Sequence, residues 1–134
     1  MRKTLLCAVL AACSPRPAPA PTPTHTSARG PTICPSAVEG AKTRLRMTDD
    51  GVDVIVTTED PRARIEIVKL AGLHARSGDP GPNDDCPIVH DDTRISLAPF
   101  ANGIVLHLKA LTPDRVQTVQ ARASRRLAAR ASQR

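Results

Sequence analysis

Apolar and polar residues alternate over four short stretches of the chain, and this alternation predicts four β-strands. The predicted strands cover residues 43–47, 52–58, 94–97 and 104–109. Within each pair, the strands are separated by turn-forming residues that end in Asp50-Gly51 or Asn102-Gly103. Such sequences suit tight turns between antiparallel strands. The pattern therefore predicts two β-hairpins.

A helix is predicted after each hairpin. The first begins at Asp60-Pro61 and the second at Thr112-Pro113, because a short polar residue caps a helix and proline suits its first position. The second helix is expected to end near residue 129. The spacing of apolar residues predicts that the helices bury two sets of side chains: Ile65, Val68, Ala71 and Leu73 in the first, and Val116, Val119, Ala123 and Leu127 in the second.

The two strand–strand–helix units are copies of one another. Cys34, which precedes a proline, recurs 52 residues later as Cys86, which also precedes a proline. Gly51 recurs as Gly103 at the same offset, and the apolar positions of the strands match without a gap. The predicted boundaries are 34–78 and 86–130 for the two units, 32–130 for the whole domain, and 131–134 for a disordered tail.

Two copies are too few for a solenoid, so we expect them to pack about a pseudo-twofold axis. The predicted fold class is α+β, in which the duplicated ββα-ββα unit forms a mainly antiparallel four-stranded sheet with two helices on one face.

Residues 1–12 have the organisation of a secretory signal peptide, with two basic residues before an apolar run that is too short to span a membrane. The run ends in Leu10-Ala11-Ala12-Cys13, which resembles the lipobox of bacterial lipoproteins. The resemblance implies cleavage before Cys13, a diacylglycerol on its sulfur and an acyl chain on its amino group. The alternative is an ordinary signal peptide that is cut near Ala12 and leaves Cys13 free.

The residues after Cys13 bear on where the protein is held. Within the lipoprotein family an aspartate after the lipidated cysteine often marks inner-membrane retention. Here that position is Ser14, so the resemblance favours an outer-membrane anchor that faces the periplasm. The prolines of segment 13–31 favour extended polyproline conformation. We expect this segment to be a tether between the lipid and the domain.

The domain itself resembles a group of uncharacterised bacterial lipoproteins. They share a Cys-Pro-x-x-Val-x-Gly opening, here residues 34–40, an Asp-Pro helix start, here Asp60-Pro61, and a histidine late in that helix, here His74. The resemblance implies a cell-envelope location, and it brings no activity with it.

Cys34 and Cys86 allow two interpretations. Exported proteins favour disulfides, and equivalent positions of two repeats can meet near a pseudo-symmetry axis. The second interpretation is a soft-metal site for Cu(I) or Zn, or a redox-sensing thiol pair, in which His90 and His74 join the two cysteines. His74 also has a simpler role, as a cation near the end of its helix.

The second predicted helix is basic. Arg115, Arg122 and Arg126 share one of its faces at 100° per residue. Such a face suits an anionic lipid, a glycan or an acidic envelope protein, and the alternative is a solvated face. An exported protein is not expected to meet nucleic acid.

Composition and motifs argue against two broad functions. Phe100 is the single aromatic residue, which argues against a stacking platform for bases. The paired aspartates lie in turns, and no phosphate loop or nucleophile motif is present in the sequence. We therefore predict a lipid-anchored cell-envelope lipoprotein, not an enzyme, with a binding or structural domain and no cofactor beyond its lipid. The alternative is periplasmic metal binding or thiol redox sensing.

Overall fold

The protein is described by a computed structural model over residues 33–77 and 85–133. The signal peptide, Cys13 and the tether predicted from the sequence lie outside the described residues. The six main elements in chain order are β1 Lys42–Thr48, β2 Gly51–Thr57, α1 Pro61–Ser77, β3 Thr93–Phe100, β4 Gly103–Ala110 and α2 Val116–Ala131.

The four strands form one antiparallel sheet in the order β1-β2-β4-β3. In the central pair, Val54 of β2 lies opposite Leu106 of β4, and these two residues are 52 apart in the sequence. A pseudo-twofold axis therefore passes between them. Gly40 and Asp92, also 52 apart, are the two described residues with positive φ, at 76° and 60°. The predicted α+β fold and its repeat are confirmed.

Each helix packs on the hairpin of the other unit. Helix α1 contacts β4 and β3, whereas α2 contacts β2 and β1 and also reaches β4. Both helices lie on the same face of the sheet, and the core fills the space between. Its largest fully buried apolar side chains include Val52, Val54, Val56, Ile67, Ile88, Ile104, Leu106, Leu108 and Val119. Neither unit can close this core without the helix of the other.

The buried face of α1 differs from the prediction. Ile65 and Leu73 are exposed, at 66% and 37%, whereas Ile67, Ala71 and His74 are buried. The buried residues follow the i, i+4, i+7 spacing of a single stripe. The prediction is confirmed for Ala71 and for Val68, which packs partly buried against the core. It was wrong for Ile65 and Leu73, because the stripe is completed by a histidine, which a hydrophobicity pattern counts as polar.

The ends of the elements also differ by a few residues. Asp60 caps α1 as predicted, since its carboxylate accepts a hydrogen bond of 2.8 Å from the backbone of Arg62. Thr112 makes no such side-chain cap, because a 3₁₀ turn at Pro113–Arg115 precedes α2. Helix α2 continues to Ala131, two residues beyond the predicted end.

Gly51 and Gly103 are the first residues of the two central strands, and at both positions the backbone of the paired strand lies very close. A Cβ on Gly51 would overlap the carbonyl oxygen of Leu108, and one on Gly103 would overlap that of Val56. Because the obstacle is backbone in both cases, no side-chain rearrangement can make room. Glycine is therefore required at both equivalent positions.

We expect Gly103→Ala to lower the free energy of unfolding by about 2 kcal/mol, the usual cost of forcing atoms into a packed region. Urea unfolding followed by circular dichroism measures this change. Gly72→Ala is the matched control, because a Cβ there meets the flexible end of Arg76 and alanine is favoured within a helix. The control should be at least as stable as the parent, and equal stability of all three proteins would contradict the expectation.

Candidate functional site

Cys34 and Cys86 are joined in a disulfide, with their Cα atoms 5.8 Å apart. Since the two residues are equivalent in the repeat, the bond crosses the pseudo-twofold axis and links one unit to the other. Both cysteines are buried, at 2% and 0% exposure. Of the two interpretations of these cysteines, the structure therefore shows the disulfide. In this state neither sulfur is a thiolate that could bind a metal.

His74 and His90 hydrogen-bond to each other directly. Nε2 of His90 lies 2.6 Å from Nδ1 of His74, while the ring centroids are 4.7 Å apart and the ring planes differ by 5°. The centroid distance exceeds the nitrogen distance by roughly two ring radii, so the rings lie side by side in nearly one plane. The sequence placed both histidines in one metal site. The structure brings them together, but the contact leaves no room for an ion between these nitrogens.

His74 is neutral in the folded protein. Burial, the neighbouring His90 and the charge of Arg126 lower its pKa to about 4 against the opposing effect of a backbone hydrogen bond. A role as a helix-terminal cation is therefore wrong, because the imidazolium would have to form away from water. Its Nε2 atom is buried and has no hydrogen-bond partner among the residues that the structure describes.

The arginines of α2 hold the segment that carries Cys86 and His90. Nη1 of Arg126 donates a 3.1 Å hydrogen bond to the carbonyl oxygen of Ile88, and Arg122 lies 3.4 Å from a carboxylate oxygen of Asp91. Further along, Nε of Arg130 donates a 3.0 Å hydrogen bond to the carbonyl oxygen of Ser36. These contacts tie α2 to both sides of the disulfide.

The arginines predicted to contact an external anion are therefore already engaged by carbonyl and carboxylate groups of the same chain. Arg115 also faces carboxylates, at 3.5 Å from Asp114 and 3.9 Å from Asp92. The positive charge that Arg115, Arg122 and Arg126 offer to an external anion is smaller than the sequence alone indicates. Contact of these residues with an anionic surface stays a prediction.

A second basic surface lies on the sheet face opposite the helices, and we call it the open face. Side chains alternate along each strand, so the strand register assigns its residues. Its basic residues are Lys42, Arg44, Arg46, Arg94 and Lys109, and its uncharged or histidine side chains include Ile55, Thr57, Ser96, Ala98, Phe100, Val105 and His107. Among the residues of this face, Asp53 is the one acid.

The negative charge of Asp53 is balanced by neighbouring side chains. Asp53 is 3% exposed, and its carboxylate accepts a 2.9 Å hydrogen bond from Nε of Arg46 and lies 2.6 Å from Nδ1 of His107. Burial acts to raise the pKa of this carboxyl, but the hydrogen bonds from Arg46 and His107 outweigh burial and hold the pKa below its usual value. The carboxylate therefore stays ionised and paired. Lys42 and Lys109 are also paired, with Glu59 at 3.4 Å and Asp50 at 3.1 Å, so Arg44 and Arg94 carry the unbalanced charge of this face.

The contact of Asp53 with Arg46 and His107 was not predicted from the sequence. Arg46, Asp53 and His107 belong to three neighbouring strands, and the register places them directly side by side. One signal was present, since an aspartate is unfavourable within a run of β-branched residues. Finding its partners required the register of β2 with β4, which pairs residues 54 positions apart.

A cavity of about 430 Å³ lies at the end of the sheet where β1 begins and β2 ends. Lys42 and Arg44 reach it from the open face, and Phe100 and Asn102 bound it from the β3–β4 turn. Glu59 also lines the cavity, and its carboxylate lies 3.4 Å from Nζ of Lys42. The cavity is therefore continuous with the basic surface.

Comparison with known proteins adds no family to this description, since no family model, curated protein or solved structure matches the chain. Within residues 33–77 and 85–133, no helix is long and apolar enough to cross a bilayer. Within the same ranges, no group of three or more histidine, cysteine or acidic side chains is arranged to hold a metal ion.

We expect the free energy of unfolding to decrease as pH is lowered, because His74 is harder to protonate in the folded chain than in the unfolded chain. Its pKa is about 4 when folded and 6.5 ordinarily, so the unfolded chain binds more protons between these values. The stabilisation is fully present above pH 6.5 and is lost as pH falls towards 4, by about 3 kcal/mol. His74→Gln should flatten this part of a plot of unfolding free energy against pH, and curves that run parallel for the two proteins would contradict the assignment.

Removing the disulfide should be costly. In the chain-entropy model, a bond that closes a loop of 52 residues stabilises the fold by about 4 kcal/mol. The double variant Cys34→Ser, Cys86→Ser should lose roughly this amount in urea unfolding. Because both sulfurs are buried, a thiol reductant should not cleave the Cys34–Cys86 bond in the native chain, so an added alkylating reagent should leave these two residues unmodified until the chain is unfolded. Rapid alkylation of Cys34 and Cys86 in the native chain would instead support redox sensing.

Proposed function

We propose that this chain is a lipid-anchored lipoprotein of the bacterial cell envelope and that its domain binds a partner without catalysing a reaction. The lipobox at Leu10–Cys13 supports the anchor, and the tether at 13–31 supports presentation of the domain away from the lipid. One structural observation carries the binding role, which is that two of the five basic side chains of the open face lack a countercharge. Lys42, Arg46 and Lys109 pair with Glu59, Asp53 and Asp50. Arg44 and Arg94 are exposed and form no ion pair among the residues that the structure describes.

The charge of the open face favours binding over a purely structural role. Like charges on one surface repel each other and reduce stability. On α2 the basic residues are offset by acids of the neighbouring loop, as the Arg122–Asp91 pair shows. On the open face Arg44 and Arg94 stand on the two edge strands, and both are exposed. An external anion would supply the missing countercharge.

Several polar groups of the open face and its neighbouring cavity are paired with one another. Asp53 and His107 point at each other, and Arg46 completes the pair. The hydroxyls at the neighbouring cavity belong to Thr43, Thr57 and Thr58. Its carboxylate, Glu59, is paired with Lys42. Ser96 lies opposite His107 in the strand register, but the described residues show no hydrogen bond between this hydroxyl and the imidazole, whose Nδ1 is engaged by Asp53. Without a base bonded to a nucleophile, a non-catalytic domain is the function that these contacts support best.

The second candidate is soft-metal binding or thiol redox sensing through Cys34, Cys86, His74 and His90. One observation favours it, because the buried Nε2 of His74 lacks a partner among the described residues beside a histidine from the Cys86 segment. This function requires that the disulfide be reduced and that the two histidines separate. Burial of both sulfurs disfavours the first step, and we rank this candidate second.

The anchor is tested by metabolic labelling with a palmitate analogue in cells that express the chain. The parent should be labelled and should sediment with membranes, with the outer-membrane fraction favoured. Cys13→Ser should lose the label and leave the membrane fraction, because it removes the attachment atom.

Cys7→Ser is the matched control for this experiment. Cys7 lies in the predicted signal peptide, so its replacement should leave both label and location unchanged. Labelling that survives in the Cys13→Ser chain, or that disappears in the Cys7→Ser chain, would overturn the lipobox assignment.

A further inference from the structure

The open face carries cations along both edges of the sheet. Lys42, Arg44 and Arg46 occupy alternate positions of β1, so they follow one another at intervals of about 7 Å along the edge. Arg94 stands on β3 at the opposite edge, about 14 Å across the sheet. In the part of the chain that the structure describes, both helices lie on the other face and cover none of these residues.

The apolar centre of this face is already covered. Ile55 is 4% exposed and has Arg44 and Val105 as its cross-strand neighbours. It also lies outside the main core cluster beneath the helices, so the side chains around it on the open face must shield it. A protein partner would find no apolar pocket at the centre for an anchoring side chain, which is the feature that dominates most protein interfaces.

The composition of the chain disfavours a sugar ligand. Aromatic rings supply the flat apolar surfaces on which rings of a ligand stack, and Phe100 is the single aromatic residue. It lies at the end of the face beside the turn, 42% exposed. What remains for attraction is positive charge spread along both edges of the sheet, and an array of phosphate groups is complementary to it.

We infer that the open face docks on a bilayer that contains anionic phospholipid, with Arg44, Arg46, Arg94 and Lys42 next to the lipid phosphates. This inference rests on the proposed binding function and specifies its partner. The helices then face away from the membrane. An acyl anchor and a basic surface are the usual two signals for stable membrane attachment, and the tether at 13–31 would join them.

The test uses the chain from residue 13 onward with Cys13→Ser, so that binding reports the protein surface alone. Vesicles of phosphatidylcholine with about one third phosphatidylglycerol are sedimented with the protein, and pure phosphatidylcholine vesicles serve as the reference. Each basic residue near an anionic membrane contributes about a fivefold gain in binding. We expect binding to the anionic vesicles alone, and we expect it to weaken as salt is raised.

Arg44→Glu, Arg94→Glu should reduce the partition coefficient by more than about 20-fold, because two attractions become repulsions. Arg62→Glu, Arg76→Glu is the matched control, since both arginines are exposed on α1 and the change in net charge is identical. The control should lose less than about threefold. If the glutamate variant does not reach the parent's urea midpoint, Arg44→Gln, Arg94→Gln replaces it, with a loss of about 20-fold expected.

Three outcomes would overturn the inference: no preference for anionic vesicles, equal losses in the two double variants, or binding to soluble polyphosphate with none to vesicles. The last result would assign the face to a soluble polyanion and leave a binding domain in place. Palmitate labelling at Cys13 does not depend on any of these measurements, so failure of the docking surface is distinguishable from failure of the lipoprotein assignment.

Discussion

The antiparallel pairing of β2 with β4 joins the two repeats into one domain. Because Val54 lies opposite Leu106, its equivalent in the second unit, the pairing creates the pseudo-twofold axis. That axis sends each helix across to the hairpin of the other unit and brings Cys34 and Cys86 within bonding distance. The close approach at Gly51 and Gly103 is a consequence of the same pairing.

Several contacts of ionisable side chains in the domain involve positions at which the two units carry different residues. His74 and Arg126 are equivalent positions in the repeat, and the charge of one lowers the pKa of the other. His90 stands where the first unit has Val38, so the histidine pair exists on one side of the axis and not on the other. Asp92 likewise takes the positive φ that Gly40 has in the first unit, and its carboxylate faces Arg115.

Much of the fold could be predicted because its causes are local. Alternating residues gave the strands, Asp60-Pro61 gave the start of α1, and the 52-residue offset indicated the twofold. The face of α1 could not be predicted in the same way, because the polar residue His74 is buried with a hydrogen-bonding partner, His90, that lies 16 positions away in the sequence. Pairing of Arg122 with Asp91 and of Asp53 with His107 also depends on register and packing, which hydrophobic patterning does not contain.

The exchange of helices between the units has a consequence for how such a chain can arise. A single ββα unit could not cover its own hairpin, but two separate copies related by the same twofold could, as a symmetric homodimer. The bond between Cys34 and Cys86 would then be an interchain crosslink on the dimer axis. In such a homodimer any substitution would appear twice, so a histidine at one position would face a histidine at its equivalent. The single chain can carry different residues there, as His74 and Arg126 show.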